Sequence, residues 1–464
     1  MANFSGYISR ANDLVWGFPL LILMAITGLY STFRTRGVQF RYLSYAHRLA
    51  LTKQRVNEEG AGDISRFQSL TTALASTIGI GSITGVATSI SVGGSGAIFW
   101  MWVAALFGAA TKYAESILAV KFRITDKRGE MCGGPMHYLE RGMRAGGWGR
   151  FLSICFAVFG AIAALGTGNM VQANSVAVAL RDALSLPPAW LGFVLMIVVG
   201  VVLLGGIKSI GRVSEILVPA MAFFYIVGGL VIIAVKYRYV PHAFLLIFRS
   251  AFTGEAAFGG FAGATVMKGI EFGVSGGVFS GEAGLGTSPM AAAAAKTDVP
   301  GRQALISMCT VFITTGIVCT VTALTIVLSG IFGSFGPDGK ALEGSSLAFH
   351  AFGAVIPGGE WIITIALIPF AYSTILVWAY YGEKCTEYLF GERAIIPYRI
   401  LYVILIIPGA VLHSRTVWGI ANMMNGLMAF PNLIGILVLG GVIARETRRF
   451  DKLFRMERIS GSGT

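Results

Sequence analysis

Long apolar runs without a polar face dominate the chain. Examples are WGFPLLILMAITGLY (16–30), LGFVLMIVVGVVLLGG (191–206) and WIITIALIPFAYSTILVWAYY (361–381). A helix of a soluble domain keeps polar positions on one side, whereas a membrane-spanning helix needs about 20 mostly apolar residues. The pattern therefore predicts an all-α integral membrane protein with eleven transmembrane helices. We place the spans near residues 15–32, 69–91, 97–120, 151–180, 190–206, 214–235, 258–294, 303–330, 361–382, 396–412 and 417–443.

Two of these spans have sequences that disfavour a continuous helix. Span two carries Gly79, Gly81 and Gly85 near its middle, and span seven contains GVSGGVFSGEAGLGTSP (273–289). Each glycine costs a helix interior up to about 1 kcal/mol. Unwound backbone at mid-membrane depth persists only where it is buried in protein or lines a cavity. We therefore predict that both spans are broken, while close helix packing remains the alternative explanation of the glycines.

The two broken spans hold corresponding positions in the chain. Each opens a set of five spans, two to six and seven to eleven, and an odd number of spans per set inverts the second set relative to the first. Paired interrupted segments in inverted halves point to the binding site of a secondary transporter. We divide the chain into an N-terminal helix with a basic cytoplasmic loop (1–66), a first repeat (67–240), a second repeat (241–444) and a basic cytoplasmic tail (445–464).

Composition and charge indicate the class of protein and its orientation in the membrane. The chain is 55% hydrophobic and 13% charged, with a mean hydropathy of +0.71 and a net charge of +13. Of its 36 Lys and Arg, 27 fall on one side of the predicted spans and 7 on the other, while Lys112 and Lys268 lie inside spans. The positive-inside rule then places the N-terminus outside and the C-terminus in the cytoplasm. The basic, short loops are typical of a plasma membrane protein of the bacterial inner membrane. The positive charge is typical of loops that face anionic lipid, so we expect no nucleic-acid partner.

The sequence offers no reactive cluster for a membrane-embedded enzyme. Its five cysteines are an odd number without the spacing of a metal site or a disulfide framework. The histidines also lack partners at catalytic or metal-binding spacing; they are His47, His137, His242, His350 and His413. The first apolar run has no basic leader and no small-residue cleavage site, so it is predicted to be a retained helix. We therefore expect a protein that is not an enzyme.

Seven segments in order along nearly the whole chain carry a family resemblance. They are GSITGVATSI (81–90), GAIFWMWVAALFGAATKYAE (96–115), GGPMHYLERGM (133–143), GNMVQANSVA (168–177), FSGEAGLGTSP (279–289), STILVWAYYGEKCTEYLFG (373–391) and NGLMAFPNLI (425–434). Together they resemble the alanine/glycine:cation symporter family of the amino acid-polyamine-organocation transporter superfamily. The resemblance implies sodium-coupled uptake of small neutral amino acids, typically alanine and glycine. It also implies a leucine-transporter-like fold, with a 5+5 inverted repeat in spans two to eleven, two broken helices and one extra N-terminal helix.

The chain departs from the family's usual sequence at three places. Ser82 and Gly281 stand where the family usually has asparagine. Near span eleven, Gly419 and Asn422 stand where the family tends to carry acidic residues. Because the two missing asparagines adjoin the predicted breaks, we expect these departures to affect substrate choice or ion coupling and not the fold.

The resemblance also indicates a substrate site between the breaks. An amino-acid zwitterion needs donors for its carboxylate, which half-helix N-termini supply, and acceptors for its ammonium, which unwound carbonyls supply. We place the carboxylate at Thr77, Ile80, Gly81 and Ser82 of span two. The opposite wall is expected to contain Gly273, Gly276, Phe279 and Ser280 of span seven, with Gln172 of span four and Trp378 of span nine. A structural amide at Gln172 and a packing role for Trp378 are the alternatives, and Asn169 and Asn174 are predicted to be structural.

A sodium site is expected beside the substrate. Sodium is a hard cation that takes oxygen ligands, and Ser373 and Thr374 are adjacent hydroxyls in the middle of span nine. The related transporter fold implies that the carbonyls of Ala75, Ile78 and Phe370 lie next to them. Without that resemblance, such hydroxyls usually bond back to their own helix.

Ionisable residues inside spans deserve a functional hypothesis because their burial in a membrane is expensive. Lys112 and Glu115 lie three apart on one helix, so we predict a local ion pair. Glu282 is predicted to order the broken span by accepting hydrogen bonds from exposed amides. The alternative is that Glu282 titrates and admits proton coupling.

Two basic segments flank the spans on the predicted cytoplasmic side. They are the loop 33–66 and the tail RETRRFDKLFRMER (445–458), in which Phe450, Leu453 and Phe454 recur at helical spacing. Both patterns are typical of helices that contact a lipid surface.

The sequence thus predicts a sodium-driven symporter of small neutral amino acids, working by alternating access, with the amino acid and membrane lipid as partners and sodium as co-transported ion. A proton-coupled or relaxed-specificity carrier of small amino acids is the alternative within transport. A membrane-embedded enzyme or a sensor that does not transport is the remote one.

Overall fold

The computed structural model describes residues 2–51, 60–143, 147–253, 266–336, 339, 341–412 and 415–459. In chain order its α-helices are α1 (Ala2–Val15), α2 (Phe18–Arg34), α3 (Val38–Arg41), α4 (Leu43–Leu51), α5 (Arg66–Thr77), α6 (Thr84–Gly93), α7 (Ala97–Lys121), α8 (Pro135–Gly142), α9 (Trp148–Leu165), α10 (Val171–Leu184), α11 (Pro188–Leu204), α12 (Gly206–Val235), α13 (Val240–Thr253), α14 (Val266–Gly281), α15 (Ser288–Ala293), α16 (Pro300–Val311), α17 (Thr320–Ser329), α18 (Gly344–Val355), α19 (Glu360–Phe390), α20 (Ile395–Ile404), α21 (Ile406–Val411), α22 (Arg415–Val438) and α23 (Gly440–Ile459). A two-residue antiparallel hairpin, β1 (Ile124–Thr125) and β2 (Met131–Cys132), follows α7.

Apolar helices occupy the predicted spans. Within the described ranges, seven helices are long and apolar enough to cross a membrane, and the bent pair α5–α6 adds an eighth. The helices α2 and α11 are apolar but shorter. The predicted span 258–294 begins in residues 258–265, which lie outside the described residues. The all-α membrane class is confirmed, while the count of eleven crossings stays a prediction.

The break predicted in span two is confirmed. Helix α5 starts with a capping box, in which Ser65 and Gln68 each accept a hydrogen bond from the other's backbone N–H. It ends at Thr77, and α6 continues at an angle of 62° after one 3₁₀ turn. A Cβ on Gly79 would lie 2.5 Å from the Thr374 hydroxyl, so this glycine allows the unwound backbone to contact α19.

The break predicted in span seven is also confirmed. Helix α14 ends at Gly281 and α15 begins at Ser288. Between them Glu282, Gly284 and Gly286 have φ angles of +52°, +90° and +81°, a left-handed backbone that no helix continues. The two breaks therefore lie at corresponding positions of the two predicted repeats.

Two further irregularities interrupt long helices beside these breaks. The turns 166–170, between α9 and α10, and 312–319, between α16 and α17, are π-helical. A π turn displaces backbone carbonyls from their usual partners and is frequent at functional sites. The sequence pattern predicted continuous helices here, because apolar periodicity does not report a single inserted residue.

Besides α3, α4, α8 and α23, three more described helices lie outside the predicted spans. Helix α1 packs on α22, α13 packs on α7 and α14, and α18 packs on α6, α17 and α19. Each has 12 to 14 residues, too few to cross a membrane. Helix α18 thus packs against one half of the first broken span and α13 against one half of the second.

The C-terminal helix corrects two expectations. Helix α22 ends at Val438 and α23 starts at Gly440, so the predicted span 417–443 runs too far and the boundary at 444 falls inside α23. Phe450 is 1% exposed, and Phe454 packs edge-on against Tyr42 at 5.2 Å. The predicted lipid contact is therefore wrong for Phe450, which packs against Tyr42 and Gly301, while the partly buried Phe454 packs against Tyr42 and Tyr45.

Polar contacts hold α23 in the same place. The carboxylate of Asp451 accepts hydrogen bonds from the Tyr42 hydroxyl at 2.8 Å and from Arg41 at 3.2 Å. Burial and the Asp451 carboxylate raise the pKa of Tyr42 to about 12, so the phenol stays protonated and keeps donating. The C-terminal helix is part of the folded bundle.

We expect Phe450→Ala to destabilise the protein, because its ring fills a contact with Gly301, where an added Cβ would lie 2.6 Å from the Cβ of Phe450. Truncation of a buried phenylalanine costs about 3–5 kcal/mol. Thermal unfolding of the purified protein should occur at a lower temperature, with earlier protease cleavage in α23. Met456→Ala is the matched control on the same helix, since that side chain is 56% exposed. Equal effects of the two substitutions would contradict the docked position of α23.

Candidate functional site

A wide cavity opens between α1, α6, α10, α14 and α22. Its volume is about 430 Å³. Most of its side chains are only partly buried, so we call it the vestibule. It is lined by Asn12, Trp16, Ile80, Gly81, Thr84, Gly85, Thr88, Ser89, Thr167, Val171, Gln172, Glu271, Phe272, Ser275, Gly276, Phe279, Gly419 and Asn422.

A much smaller cavity lies deeper, between the two breaks. Its volume is about 20 Å³, and we call it the inner cavity. It shares Gly81, Thr167, Gln172 and Phe279 with the vestibule, so the two spaces adjoin. Its other lining residues are Ser76, Thr77, Gly79, Glu282, Leu285, Thr374, Trp378 and Asn425.

The span-two residues of the predicted substrate site divide into two groups. Ile80 and Gly81 lie in the break and line the vestibule, and Thr77 lines the inner cavity. The Thr77 hydroxyl donates to the Ala73 carbonyl at 3.0 Å. Ser82 is fully buried and donates to the Thr77 carbonyl at 3.1 Å. Ser82 thus donates a hydrogen bond to a free backbone carbonyl at the end of α5. It is not among the described lining residues of either cavity.

The span-seven residues divide in the same way. Gly276 lines the vestibule, and Phe279 lines both cavities. Gly273 instead faces α7, where an added Cβ would lie 2.8 Å from the Cβ of Trp100. Ser280 is buried and donates to the Gly277 carbonyl at 3.2 Å. Neither Gly273 nor Ser280 is among the described cavity-lining residues, and the position of Gly273 matches the close-packing alternative.

Gln172 and Trp378 both reach the inner cavity. Gln172 donates through Nε2 to the Thr167 carbonyl at 3.1 Å, a carbonyl that the π turn makes available. Trp378 packs across Gly168, where any larger residue would collide with its ring. The flanking amide of Asn169 is held away from the cavities and donates to the Tyr402 carbonyl at 2.5 Å.

Four of the five predicted sodium ligands come together. The Thr374 hydroxyl lies 3.0 Å from the Ala75 carbonyl and 2.9 Å from the Phe370 carbonyl. The Ser373 hydroxyl lies 3.4 Å and 3.0 Å from the same two oxygens. The fifth, Ile78, is buried at the end of α5. Both hydroxyls bond back to Phe370 on their own helix, and both also reach across to α5.

Glu282 connects the two broken helices. Its Oε2 accepts hydrogen bonds from Ser76 of α5 at 3.0 Å and from Thr287 at 2.9 Å, just before α15. Ser76 in turn lies 3.3 Å from the Tyr381 hydroxyl of α19. The donors are hydroxyls and not the backbone amides that the sequence led us to expect.

The predicted ion pair between Lys112 and Glu115 is wrong. Among the described residues, no ion pair joins them. Lys112 donates to the Gly281 carbonyl at 2.8 Å, the free end of α14. Glu115 accepts from Asn432 at 2.5 Å, and Asn432 also donates to the Gly284 carbonyl at 2.8 Å. Both charged side chains stabilise the backbone at the break in span seven. Their spacing along α7 alone could not reveal this.

The end of the bundle that carries the basic loops is closed below the breaks. Arg123, just after α7, donates to four backbone carbonyls: Ala61 at 2.8 Å, Ala293 at 3.0 Å, Ala295 at 2.9 Å and Thr297 at 3.2 Å. The first precedes α5 and the other three lie at or after the end of α15. Arg123 therefore ties the segment before α5 and the segment at the end of α15 to the end of α7.

Further contacts reinforce this closed end. The Asp63 and Lys296 amides donate to the Ala294 and Ile64 carbonyls, each at 2.8 Å, which joins the segment before α5 to the segment after α15. Asp298 also pairs with arginines at the starts of α5 and α16, at 3.2 Å and 2.8 Å.

A cluster of side chains of the types that bind metal ions lies at the hairpin and surrounds the ammonium group of a lysine. Asp126, Cys132 and Glu387 offer ligand atoms within 4.8 Å of one another. The Lys384 ammonium lies among them, 3.1 Å from Cys132 Sγ and 2.9 Å from Glu387. Burial raises the pKa of Cys132 to about 12, so its thiol stays protonated. The cluster fixes the end of α19 to the hairpin.

The comparisons with known proteins agree with this architecture. The family model described as the sodium:alanine symporter family matches residues 1–460. The sodium/alanine symporter AgcS of Methanococcus maripaludis is 50% identical over 455 residues, 98% of this chain and 99% of that protein. The probable sodium/glutamine symporter GlnT of Bacillus subtilis is 34% identical over 449 residues, 96% of this chain and 90% of that protein.

Solved structures with the same fold are more distant in sequence. MhsT in complex with L-phenylalanine has a TM-score of 0.54 at 13% identity and covers 82% of this chain and 99% of its own. A Na⁺-coupled sialic acid symporter in a substrate-bound outward-open state has a TM-score of 0.52 at 14% identity, covering 93% and 86%. They confirm the leucine-transporter-like fold. The chain belongs to the sodium:alanine symporter family and is an integral membrane transporter, not an enzyme.

Proposed function

We propose that the protein is a sodium-coupled symporter that imports small neutral amino acids, with alanine and glycine as substrates. The observation that carries this proposal is the position of Thr374. Its hydroxyl belongs to the cluster of oxygens suited to sodium, and the same residue lines the inner cavity. An ion and a substrate would therefore meet at one residue.

The breaks supply complementary groups for a zwitterion. Ile80 and Gly81 precede the N-terminus of α6, where the helix dipole favours a carboxylate. The sodium ion would take the hydroxyls of Ser373 and Thr374 and the carbonyls of Ala75, Ile78 and Phe370. We place the substrate between α6 and the wall formed by Gln172, Gly276, Phe279 and Trp378, with Thr77, Ser82, Gly273 and Ser280 acting through the shape of the breaks. The aromatic rings of Phe279 and Trp378 would limit the side chain to a small one.

Coupling would follow from a shared conformation. A sodium ion at these oxygens draws α5 and α19 together, and an amino acid between the breaks needs the same arrangement of α5. Two ligands that favour one conformation raise each other's affinity by the same factor. This is the thermodynamic basis of symport.

Alternating access would use the two ends of the bundle. The vestibule leads to the breaks from one end, while Arg123 and its carbonyl partners close the other. We place the N-terminus outside and the basic loops on the cytoplasmic side of a bacterial inner membrane. The vestibule then opens to the outside of the cell. Inward opening then requires release of the inner halves of both broken spans.

A proton-coupled carrier is the second candidate, favoured by Glu282. This buried carboxylate lines the inner cavity and bonds to both broken helices. A change in its protonation would alter those bonds.

Uptake of radiolabelled alanine into proteoliposomes tests the ion assignment. We expect accumulation under an inward sodium gradient and none when potassium replaces sodium. Thr374→Ala should reduce sodium-driven uptake at least tenfold, because it removes an ion ligand. Ser329→Ala is the control, since that hydroxyl caps its own helix at the end of α17.

Accumulation driven by a proton gradient without sodium would favour the second candidate. Sodium-driven uptake that Thr374→Ala leaves unchanged would move the ion site elsewhere. Sodium-driven uptake of larger amino acids at equal rates would contradict the size limit set by the two aromatic rings.

We also expect Arg123→Gln to loosen the closed end. It removes charge-assisted hydrogen bonds, each worth about 1.5–3 kcal/mol. Backbone hydrogen exchange at Ile64 and Lys296 should become at least about tenfold faster, measured by mass spectrometry on protein in nanodiscs. Lys127→Gln is the control, because that lysine is exposed on the neighbouring hairpin. Unchanged exchange in Arg123→Gln would show that the arginine does not hold this end closed.

A further inference from the structure

The inner cavity collects acceptor oxygens that no donor satisfies. Within the described part of the chain, Gln172 Oε1 and Asn425 Oδ1 have no hydrogen-bond partner. The two residues are 4% and 1% exposed, and both line the inner cavity. An unsatisfied buried acceptor costs about 1–3 kcal/mol, so two at one cavity point to a ligand that donates hydrogen bonds.

The charge around the cavity favours a positive ligand. Glu282 lines the cavity, and Glu115 supports the same break from α7. Among the described residues, the cation beside these two carboxylates is the ammonium of Lys112, which donates to the Gly281 carbonyl. Counted as ionised groups, the three carry one net negative charge. A buried charge needs a partner of opposite sign, and a cationic group in the cavity would supply it.

The size of the cavity restricts that group to a small one. About 20 Å³ corresponds to roughly one water-sized sphere, which suits an ammonium head but not a whole amino acid. The remainder of a substrate would extend past Gly81 and Phe279 into the vestibule. Its carboxylate would then lie at the start of α6.

We propose that Gln172, Asn425 and Glu282 form the subsite for the primary ammonium group of the substrate. The inference rests on the proposed function and adds to it Asn425 of α22 and Glu282, neither of which belongs to the substrate site predicted from the sequence. Gln172 and Asn425 accept hydrogen bonds from the ammonium, and Glu282 balances its charge. A second sodium ion is the other source of a small cation, and the experiment separates the two.

The test uses the purified full-length protein. Alanine affinity is measured by calorimetry in saturating sodium, and sodium affinity is measured without amino acid. We expect Asn425→Leu to raise the Kd for alanine about ten- to a hundredfold, as for a lost hydrogen bond to a charged group. Sodium affinity without amino acid should stay within twofold. Asn425→Asp keeps an acceptor oxygen and should bind alanine within threefold of the unmodified protein.

Two further variants keep the result interpretable. Gln172→Leu should reproduce the effect of Asn425→Leu, because it removes the other unsatisfied oxygen. Asn174→Leu is the matched control, since this buried asparagine two residues from Gln172 donates to the Leu412 carbonyl. Its alanine affinity should change less than twofold. A thermal unfolding temperature close to that of the unmodified protein shows that a variant is folded.

Each contrary result overturns the proposal in a distinct way. Loss of sodium affinity without amino acid in Asn425→Leu would assign the cavity to a second sodium ion. Equal loss of alanine affinity in Asn425→Leu and Asn425→Asp would make the residue a structural one. Unchanged alanine affinity in Asn425→Leu would remove the subsite and leave the symporter intact. Failure of the unmodified protein to bind any small neutral amino acid would remove the proposed function and the subsite with it.

Discussion

A backbone polar group in the hydrocarbon layer must find its hydrogen-bond partner inside the protein, and the rest of this structure depends on that constraint. Two breaks release carbonyls and amides at the centre of the bundle. The protein satisfies them with side chains that are themselves costly to bury. Lys112 covers the end of α14, Asn432 holds the carbonyl of Gly284, and Ser82 covers the end of α5. The breaks are therefore stabilised by side chains that reach them from α7 and α22 and by a hydroxyl within the first break itself.

The same groups make the two breaks a single unit. Glu282 bonds to α5 and to the start of α15, and Thr374 links α19 to α5. A ligand that displaces any of these contacts must change the position of α5 relative to its neighbours. The closed end responds to the same movement, because Arg123 joins the segment before α5 to the segment after α15. The proposed ion and substrate sites and the closed end therefore lie on one connected set of contacts, which is the physical requirement for coupling them.

Much of the fold could be predicted because its signals are local. Glycine clusters marked both breaks, and apolar runs marked the crossings. The failures are equally physical. The partners of Lys112 lie on another repeat, so sequence spacing pointed to Glu115 instead. Gly273 resembles its neighbour Gly276 in sequence, and only the packing of α7 decides which of them faces the vestibule. Asn425 begins the family segment NGLMAFPNLI, but the sequence assigned it no role, because an unsatisfied oxygen is a property of the assembled bundle.

The structure gives a physical context for the positions where the resemblance led us to expect departures from the family's usual sequence. Among the described lining residues of the two cavities, Ser82 and Gly281 are both absent, so neither contributes a side chain to a substrate's surroundings. Gly281 faces the π turn, where an added Cβ would lie 3.3 Å from the Thr315 hydroxyl. A side chain there would press on α16 before it reached the cavity. The two departures therefore act on the shape of the breaks, whereas Gly419 and Asn422 line the vestibule directly. Substitutions at Ser82 or Gly281 should then act through the shape of the breaks, and substitutions at Gly419 or Asn422 should act through the wall of the vestibule.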